Sequence, residues 1–440
     1  MKMSPLLRLA IPVAFANLGI MAMGSVDLLA VGRLGADATA AVGLGVSVTS
    51  WFLVIGIGLL SGIDYFASQA IGAGDPRRAL VTWAEAVVLS VFLGIVGVVL
   101  PSLIGWGLED FGIPSEVARQ CRPFLIPMGL SLLPAWIFQC SRQVLQAFGK
   151  TRAVVVTLLA ANVLNAAGNI IFVAGVVGFT SYGSWASGWV TLGSRVFTAV
   201  LVTWALARFV KNREGGAYRL RDAFAGVSRA GLKRYLRVGL PAAFQMGFEV
   251  GIFSLSTLLA SRLGAVPGAA HQVALNLASL TFMVPLGIGS AGSVLVGRAL
   301  GAKDFRSLRR DGWNAVSASS IFMGASCVVF LAVPEFFVGL FSTDPAVLSV
   351  GTQVLRVAGV FQLFDGLQVT LTGVLRGLGN TRDSASANFF GHWLIGLPVA
   401  LGLSLRWGLV GIWIGLAAGL GVVALILLGR WVQALKQAVK

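Results

Sequence analysis

Three acidic residues, Asp27, Glu249 and Asp365, lie within long stretches of apolar residues. An ionised acid at the centre of a membrane-spanning helix costs about 2.5–3.5 kcal/mol on insertion scales, so such residues usually face a wet cavity and bind ions or protons. The three acids are therefore candidate cation-binding groups. The structural alternative is that Glu249 and Asp365 only hydrogen-bond neighbouring helices together.

Polar residues accompany these acids at helical spacing. Gln245 stands one turn before Glu249, and Gln368 stands three residues after Asp365, so each acid has a polar neighbour on its own helix face. A further group, Asn162, Asn165 and Asn169, follows an i, i+3, i+7 pattern that places three amides on one face of a helix. With Asp27 these amides form a candidate oxygen-rich site for Na⁺, or they join helices within lipid.

The composition indicates a membrane protein. Of 440 residues, 57% are hydrophobic and 11% are charged, whereas soluble proteins carry about 25% charged residues. Apolar stretches long enough to cross about 30 Å of hydrocarbon recur along the chain. We expect an all-α integral membrane protein of about twelve transmembrane helices, near 10–31, 40–67, 81–104, 124–147, 153–175, 185–208, 238–260, 267–293, 315–337, 350–376, 386–405 and 408–429.

The basic residues occupy alternate connections between these helices. One set of connections holds Lys2, Arg8, Arg77, Arg78, Lys150, Arg152, the run 208–237, the run 298–310, Arg376, Arg382 and the C-terminal tail; the other holds Arg33, Arg119, Arg122, Arg262 and Arg406. By the positive-inside bias, both termini are expected in the cytoplasm. The net charge of +16 is thus explained by topology, and no nucleic-acid partner is expected.

The chain contains an internal repeat. The segment "RLGADATAAVGLGV" from Arg33 matches "RLGAVPGAAHQVAL" from Arg262, an offset of 262 − 33 = 229, and "VLQAFGKTR" from Val144 matches "VLRGLGNTR" from Val374 at an offset of 230. The repeat predicts two homologous six-helix lobes, related as parallel repeats around a central cavity. We expect the N-terminal lobe at 1–208, a cytoplasmic linker at 209–237 and the C-terminal lobe at 238–440.

The three acids are not duplicated with the scaffold. Their counterparts at these offsets are Ser256, Ile20 and Ala135. Unduplicated acids on a duplicated scaffold favour a transporter over a plain structural bundle, a channel or a membrane enzyme, which remain the alternatives. Asp64 and Glu85, nearer the cytoplasmic ends of their helices, are expected to reach water, and Arg195 either pairs with an acid or reaches the interface.

Signatures of other chemistry are missing from the sequence. It has no nucleotide-hydrolysis motif and no legible catalytic group, so neither an ATP-driven pump nor an enzyme is expected. His271 and His392 lack metal-ligand spacing and are interpreted as packing residues, as are Cys121, Cys140 and Cys327. No prosthetic cofactor or transition metal is expected.

Several motifs accompany the two-lobe repeat: "VGRLG" at 31–35, "SQAIGAGD" at 68–75, "AAHQVALN" at 269–276 and "FDGLQVTLTGVLRGLGNTR" at 364–382. Through these motifs and the repeat, the sequence resembles the multidrug and toxic compound extrusion (MATE) family over nearly its whole length. The resemblance implies alternating access, with substrate leaving as Na⁺ or H⁺ enters. The acids at 27, 249 and 365 look like those of the NorM-type branch.

The resemblance also implies site residues. Asn165 and Asn169 match polar positions of a first-lobe cation site, with Thr191 as an addition. Many relatives have aspartate where Asn169 stands, and this loss of a charge leaves Glu249 and Asp365 as the preferred coupling pair. Aromatic residues near them, Phe248, Phe361 and Phe364, either contact flat or cationic substrates, together with Gln245 and Gln368, or belong to the core.

The sequence thus predicts a monomeric exporter of small, often cationic molecules, driven by Na⁺ or H⁺ antiport in a bacterial inner membrane. Its expected partners are small organic substrates and membrane lipid. The alternative is a flippase for a lipid-linked saccharide, which would favour a strongly cationic cavity, whereas the intramembrane positions here carry more acids than arginines.

Overall fold

The structure of the protein is a computed structural model that describes residues 4–32, 34–173, 175 and 182–438. Lys2, Arg33 and Lys440, which were assigned to connections, lie outside these residues. In the first part of the chain the helices are α1 (Pro5–Gly32), α2 (Ala36–Leu60), α3 (Gly62–Gly72), α4 (Pro76–Trp106), α5 (Ser115–Leu130), α6 (Leu132–Ala147), α7 (Arg152–Gly168) continued by a π-helix (Asn169–Val173), and α8 (Trp185–Arg213).

The second part repeats this pattern after a short 3₁₀ helix, Leu220–Gly226. Its helices are α9 (Arg229–Arg262), α10 (Ala265–Gly301), α11 (Phe305–Ala332), α12 (Pro334–Gly339), α13 (Pro345–Gly377), α14 (Arg382–Asn388) continued by a π-helix (Phe389–Gly396), and α15 (Leu397–Ala438).

Eleven helical segments among the described residues are long and apolar enough to cross a membrane. The last of them, Arg382–Gln437, has 56 residues and would extend about 84 Å as one helix, far beyond a bilayer core. It is broken at Gly408, whose φ of 54° and ψ of −127° are not helical. Two spans therefore occupy this segment, and the expected fold of about twelve membrane helices is confirmed.

Several helices extend further than the apolar pattern predicted, because capped polar turns prolong them beyond the hydrocarbon. The prediction for the ninth span began at 315, whereas α11 begins at Phe305. Asp304 caps this helix by accepting a hydrogen bond of 3.0 Å from the backbone N–H of Ser307. Asp75, its counterpart at the offset of 229, accepts the same bond at 3.0 Å from Arg78 at the start of α4.

The chain divides into two compact units, each with its own core. The first unit contains the described residues of 15–71 and 75–237; the second contains those of 1–14, 72–74 and 238–440. In the first unit the buried Trp136 ring lies against Gly56, and its indole N–H donates to the carbonyl of Leu53 at 3.2 Å.

In the second unit, small residues bring two backbones together. A Cβ added to Gly373 of α13 would lie 2.3 Å from the carbonyl oxygen of Gly289 in α10. Close approach of this kind is typical of helix packing in membranes. It fixes α13, which carries Asp365 and Gln368, against α10.

Candidate functional site

Asp27 of α1 is the centre of a polar site in the first unit. Its Oδ1 accepts hydrogen bonds from the side-chain amides of Asn165 at 3.0 Å and Asn169 at 2.8 Å. Its Oδ2 accepts a bond of 2.7 Å from the hydroxyl of Thr191 in α8. All four side chains are buried, so the residues named together from the sequence do meet in the structure.

Only part of the predicted amide face reaches this acid. The Nδ2 group of Asn162 donates to the backbone carbonyl of Leu158, one turn earlier on its own helix, at 2.9 Å. The amide oxygens of Asn165 and Asn169 are buried and accept no hydrogen bond among the described residues. Such oxygens are ligands of the kind that a hard cation prefers.

A π-helix begins at this site. Asn169 is the first residue of the π-helix Asn169–Val173, which continues α7. The second unit also has a π-helix, Phe389–Gly396 after α14, but the counterpart of Asn169 at the offset of 230 is Val399, so the two π-helices begin ten residues apart in the repeat. Single π-turns within α-helices are frequent at functional sites, where they shift side chains out of the regular helical register. The sequence pattern gave no signal for either one.

Arg195 stands one turn after Thr191 and contributes a positive charge beside the site. Its guanidinium donates to the hydroxyl of Ser131 at 2.7 Å, and its charge interacts with that of Asp27. Of the two alternatives for Arg195, the structure thus places it inside the unit, near an acid.

Glu249 of α9 and Asp365 of α13 form a second acidic site, in the second unit. Glu249 Oε2 lies 3.3 Å from the amide nitrogen of Gln245 and 3.4 Å from that of Gln368. The charges of Glu249 and Asp365 are close enough to repel each other. The amide of Gln368 is also 3.4 Å from Oδ1 of Asn388 in α14, a residue that the sequence analysis did not select.

The three phenylalanines near this pair occupy different surroundings. Phe361 is 1% exposed, and its ring packs edge-on against Trp413 at a centroid distance of 5.4 Å. Of the two alternatives for Phe361, substrate contact or core, its place inside the apolar cluster of the second unit favours the core. Phe248 and Phe364 remain partly exposed.

The expectation that Asp64 and Glu85 reach water is wrong. Their exposed fractions are 2% and 1%, because neighbouring helices of the first unit cover them. Glu85 lies 3.5 Å from the guanidinium of Arg78. The charge of Asp64 acts on the buried Arg142, whose guanidinium also donates to Oδ1 of Asn17 at 3.1 Å.

Sequence reasoning overlooked the buried Arg142 and Asn17, although the repeat contains a signal for them. Their counterparts at the offsets of 230 and 229 are Thr372 and Met246. Comparing every polar residue with its counterpart, and not only the acids, would have selected both.

The histidines hold no metal cluster. His271 is hydrogen-bonded through one ring nitrogen to Thr257 at 3.0 Å and through the other to Trp413 at 3.2 Å. Within 4–32, 34–173, 175 and 182–438, no three histidine, cysteine or acidic side chains are grouped so as to hold a metal ion.

The duplicated helices correspond to a known family. The MatE family model matches residues 12–171 and again residues 241–401. The chain belongs to the MatE family. MATE proteins are transport proteins without a prosthetic cofactor, so this protein is a transporter rather than an enzyme.

Curated relatives match this MATE transporter over almost its whole length. It is 31% identical over 437 residues to the probable multidrug resistance protein NorM of Brucella suis, covering 97% of this chain and 92% of the relative. It is 34% identical over 435 residues to the multidrug resistance protein NorM of Burkholderia vietnamiensis, covering 96% and 92%. The resemblance to the NorM-type branch is confirmed.

Solved structures share the fold. The outward-facing conformation of a multidrug resistance MATE family transporter matches with a TM-score of 0.88 at 22% identity, covering 98% of this chain and 96% of that one. The eukaryotic MATE transporter AtDTX14 matches with a TM-score of 0.86 at 20% identity, covering 99% and 97%. At these identities the structures establish the fold, which confirms two homologous lobes.

Proposed function

We propose that this MATE transporter is a secondary active exporter that couples the efflux of small, often cationic organic molecules to the entry of Na⁺ or H⁺. The observation that carries the proposal is the placement of the acids. The charges of Glu249 and Asp365 interact in one unit and Asp27 is enclosed in the other, whereas Ile20, Ala135 and Ser256 occupy the matching positions. The names of the NorM relatives support a multidrug substrate range.

The coupling step follows from the electrostatics of the second unit. Two nearby carboxylates in a largely apolar surrounding repel each other, so a cation that binds between them removes that repulsion. We propose Glu249 and Asp365 as the coupling pair, with Gln245 and Gln368 as neutral groups that orient Glu249. A bound cation favours one conformation only to the extent that it binds that conformation more tightly.

Asp27 has a supporting role in this proposal. It already accepts three hydrogen bonds, which stabilise its negative charge. Rotation of the Asn165 and Asn169 amides would turn their oxygens toward a cation at Asp27 and build a first-unit site with Thr191. Phe248 and Phe364 are proposed as substrate contacts through cation–π attraction.

The topology belongs to the same proposal. By the positive-inside bias, the cationic connections support a cytoplasmic location for both termini, with 209–237 as a cytoplasmic linker between 1–208 and 238–440. The protein then works as a monomer in the bacterial inner membrane, in contact with lipid.

Transport by purified protein in liposomes tests the function. A fluorescent organic cation is followed under an imposed Na⁺ gradient or an imposed pH gradient, with the membrane potential clamped. Uphill movement under one gradient is expected and identifies the ion. Movement under neither, by correctly inserted protein, would contradict antiport and favour the flippase alternative, which a lipid-linked saccharide assay then tests.

A further inference from the structure

A line of buried polar side chains leads away from Glu249 inside the second unit. From Glu249 Oε2 it passes to the amide nitrogen of Gln368 at 3.4 Å, and from there to Oδ1 of Asn388 at 3.4 Å. The Nδ2 group of Asn388 donates at 2.9 Å to the carbonyl of Ser384, one turn nearer the start of α14. Gln368, Asn388 and Ser384 are each at most 1% exposed.

The line ends at the turn between α13 and α14. Thr381, the residue before α14, donates from its hydroxyl to the backbone carbonyl of Val238 in α9 at 2.7 Å. Asn388 and Thr381 are seven residues apart, which corresponds to about 10 Å along a helix. Arg376 and Arg382 flank the turn, so it belongs to the cationic connections that we assign to the cytoplasm.

Several polar atoms along this line have no hydrogen-bond partner in the described part of the chain. They are Oε1 of Gln368, the hydroxyl of Ser384, the hydroxyl of Thr372 one turn from Gln368, and both ring nitrogens of His392 one turn from Asn388. Buried polar atoms in native proteins are nearly always satisfied by protein or by water. Buried polar atoms of this kind are the groups that internal waters satisfy.

The matching helices of the first unit contain no such line. At the offset of 230, the counterparts of Gln368, Ser384 and Asn388 are Phe138, Val154 and Leu158. All three are buried in the hydrophobic core of the first unit. The duplicated scaffold therefore packs well with apolar residues at these positions, and helix packing alone does not require the polar ones.

We propose that Gln368, Asn388 and Ser384 line a hydrated path from Glu249 to the α13–α14 turn, by which the coupling cation leaves the second unit for the cytoplasm. This proposal rests on the coupling role assigned to Glu249 under the proposed function. The first unit then lacks a corresponding exit, so cation release takes place in the second unit alone. Asn388 and Ser384 are positioning residues that hold water, and Glu249 is the group that binds the cation.

Cysteine labelling tests whether the path contains water. Ser384→Cys lies on the proposed path, whereas Ala387→Cys lies at nearly the same depth of α14 but in an apolar cluster. Because the thiolate is the reacting species and forms where water reaches the thiol, we expect Ser384→Cys to react roughly tenfold faster with a small charged thiol reagent. The natural protein, whose three free cysteines are buried, gives the background. Equal, slow labelling of both variants would overturn the path.

Transport by variants that copy the first unit tests whether the path carries the cation. Asn388→Leu and Gln368→Phe introduce the residues of the first unit, and Ser384→Ala is a milder change should either variant fold poorly. We expect slower substrate-driven cation release in all three variants, with an unchanged affinity for substrate in Asn388→Leu and Ser384→Ala, measured by equilibrium binding. Cation release at the natural rate in all three variants would overturn the role in coupling.

Failure of this inference can be told from failure of the proposed function. If the natural protein moves substrate uphill but Ser384→Cys is not labelled, the path is wrong and the exporter stands. If Ser384→Cys is labelled but the natural protein moves substrate under neither gradient, the hydrated line stands and its role in coupling falls with the exporter.

Discussion

The two units share one scaffold, but the surroundings of their acidic groups differ. Asp27 is held by three hydrogen bonds of 3.0 Å or less from Asn165, Asn169 and Thr191. Glu249 has two longer contacts, at 3.3 and 3.4 Å, and its charge interacts with that of a second acid, Asp365. A firmly held anion resists change, whereas a loosely held pair of like charges gains from binding a cation. The difference supports the proposal that coupling takes place in the second unit.

Removing charge from the second unit should have the largest effect. Glu249→Gln and Asp365→Asn keep the shape of each side chain but abolish the repulsion that a cation relieves. We expect gradient-driven efflux to fall by about a hundredfold, equivalent to roughly 2.8 kcal/mol of lost coupling. The measurement is initial efflux rate in liposomes at matched protein insertion. If both variants carried out efflux at the rate of the natural protein, the proposed difference between the two units would be contradicted.

Removing charge from the first unit should have a smaller effect on transport. In Asp27→Asn the new side-chain amide meets the donor amides of Asn165 and Asn169, so one of these amides must rotate. At least one hydrogen bond to a charged group is lost, at a cost of about 2 kcal/mol in stability. We expect a lower melting temperature and efflux reduced several-fold, with ion coupling retained. An efflux loss equal to that of Glu249→Gln would show that the two sites are equivalent.

Close backbone approach in the second unit gives a prediction about stability. Gly373→Ala places a Cβ against the carbonyl of Gly289, and overpacking of this kind costs about 1–3 kcal/mol. Their counterparts in the first unit, Gln143 and Leu60, are larger. Gly324→Ala of α11 is the control, because nothing lies within 4 Å of the added methyl. Thermal unfolding in detergent compares the two variants.

The smallest effect concerns a turn that occurs in both copies of the repeat. Gly74 and Lys303 are counterparts at the offset of 229, and both have left-handed φ values, of 80° and 57°. Because a side chain is disfavoured there, Lys303→Gly should raise stability and Gly74→Lys should lower it, each by about 1 kcal/mol. Opposite shifts in melting temperature are expected. Shifts of the same sign would show that the two turns are not equivalent.

The cap beside this turn adds a dependence on pH. The hydrogen bonds from Ser307 lower the pKa of Asp304 below its ordinary value. A lowered pKa in the folded protein contributes stability above the unfolded pKa, and that contribution is lost as pH falls through the folded pKa. Asp304→Asn, which keeps the cap but not the charge, should remove this acidic dependence from the melting temperature.

The repeat and the membrane acids could be predicted from the sequence, because both depend only on which residue stands at each position. An offset of 229 relates Asp75 to Asp304, and the structure shows the same cap at both. Hydropathy located the membrane helices but not their ends, since the turns capped by Asp75 and Asp304 are polar. The predicted boundary between the last two spans, 386–405 and 408–429, lies at the break that the structure has at Gly408.

The sequence did not reveal which polar side chains are buried or which of them contact each other. Asp64 and Glu85 stand near polar turns along the chain, yet neighbouring helices enclose both. Asn162 shares a helical face with Asn165 in a regular helix but bonds to its own backbone. The same holds for Asn388, since only the fold shows that it contacts Gln368, 20 residues away along the chain.

Substrate-driven cation flux tests the central claim most directly. Liposomes containing the natural protein, Glu249→Gln or Asp27→Asn are loaded with a pH-sensitive or Na⁺-sensitive dye, and an organic cation gradient is applied at clamped potential. The account predicts cation flux with the natural protein, reduced flux with Asp27→Asn and none with Glu249→Gln. Natural flux with Glu249→Gln would contradict the assignment of coupling to the second unit.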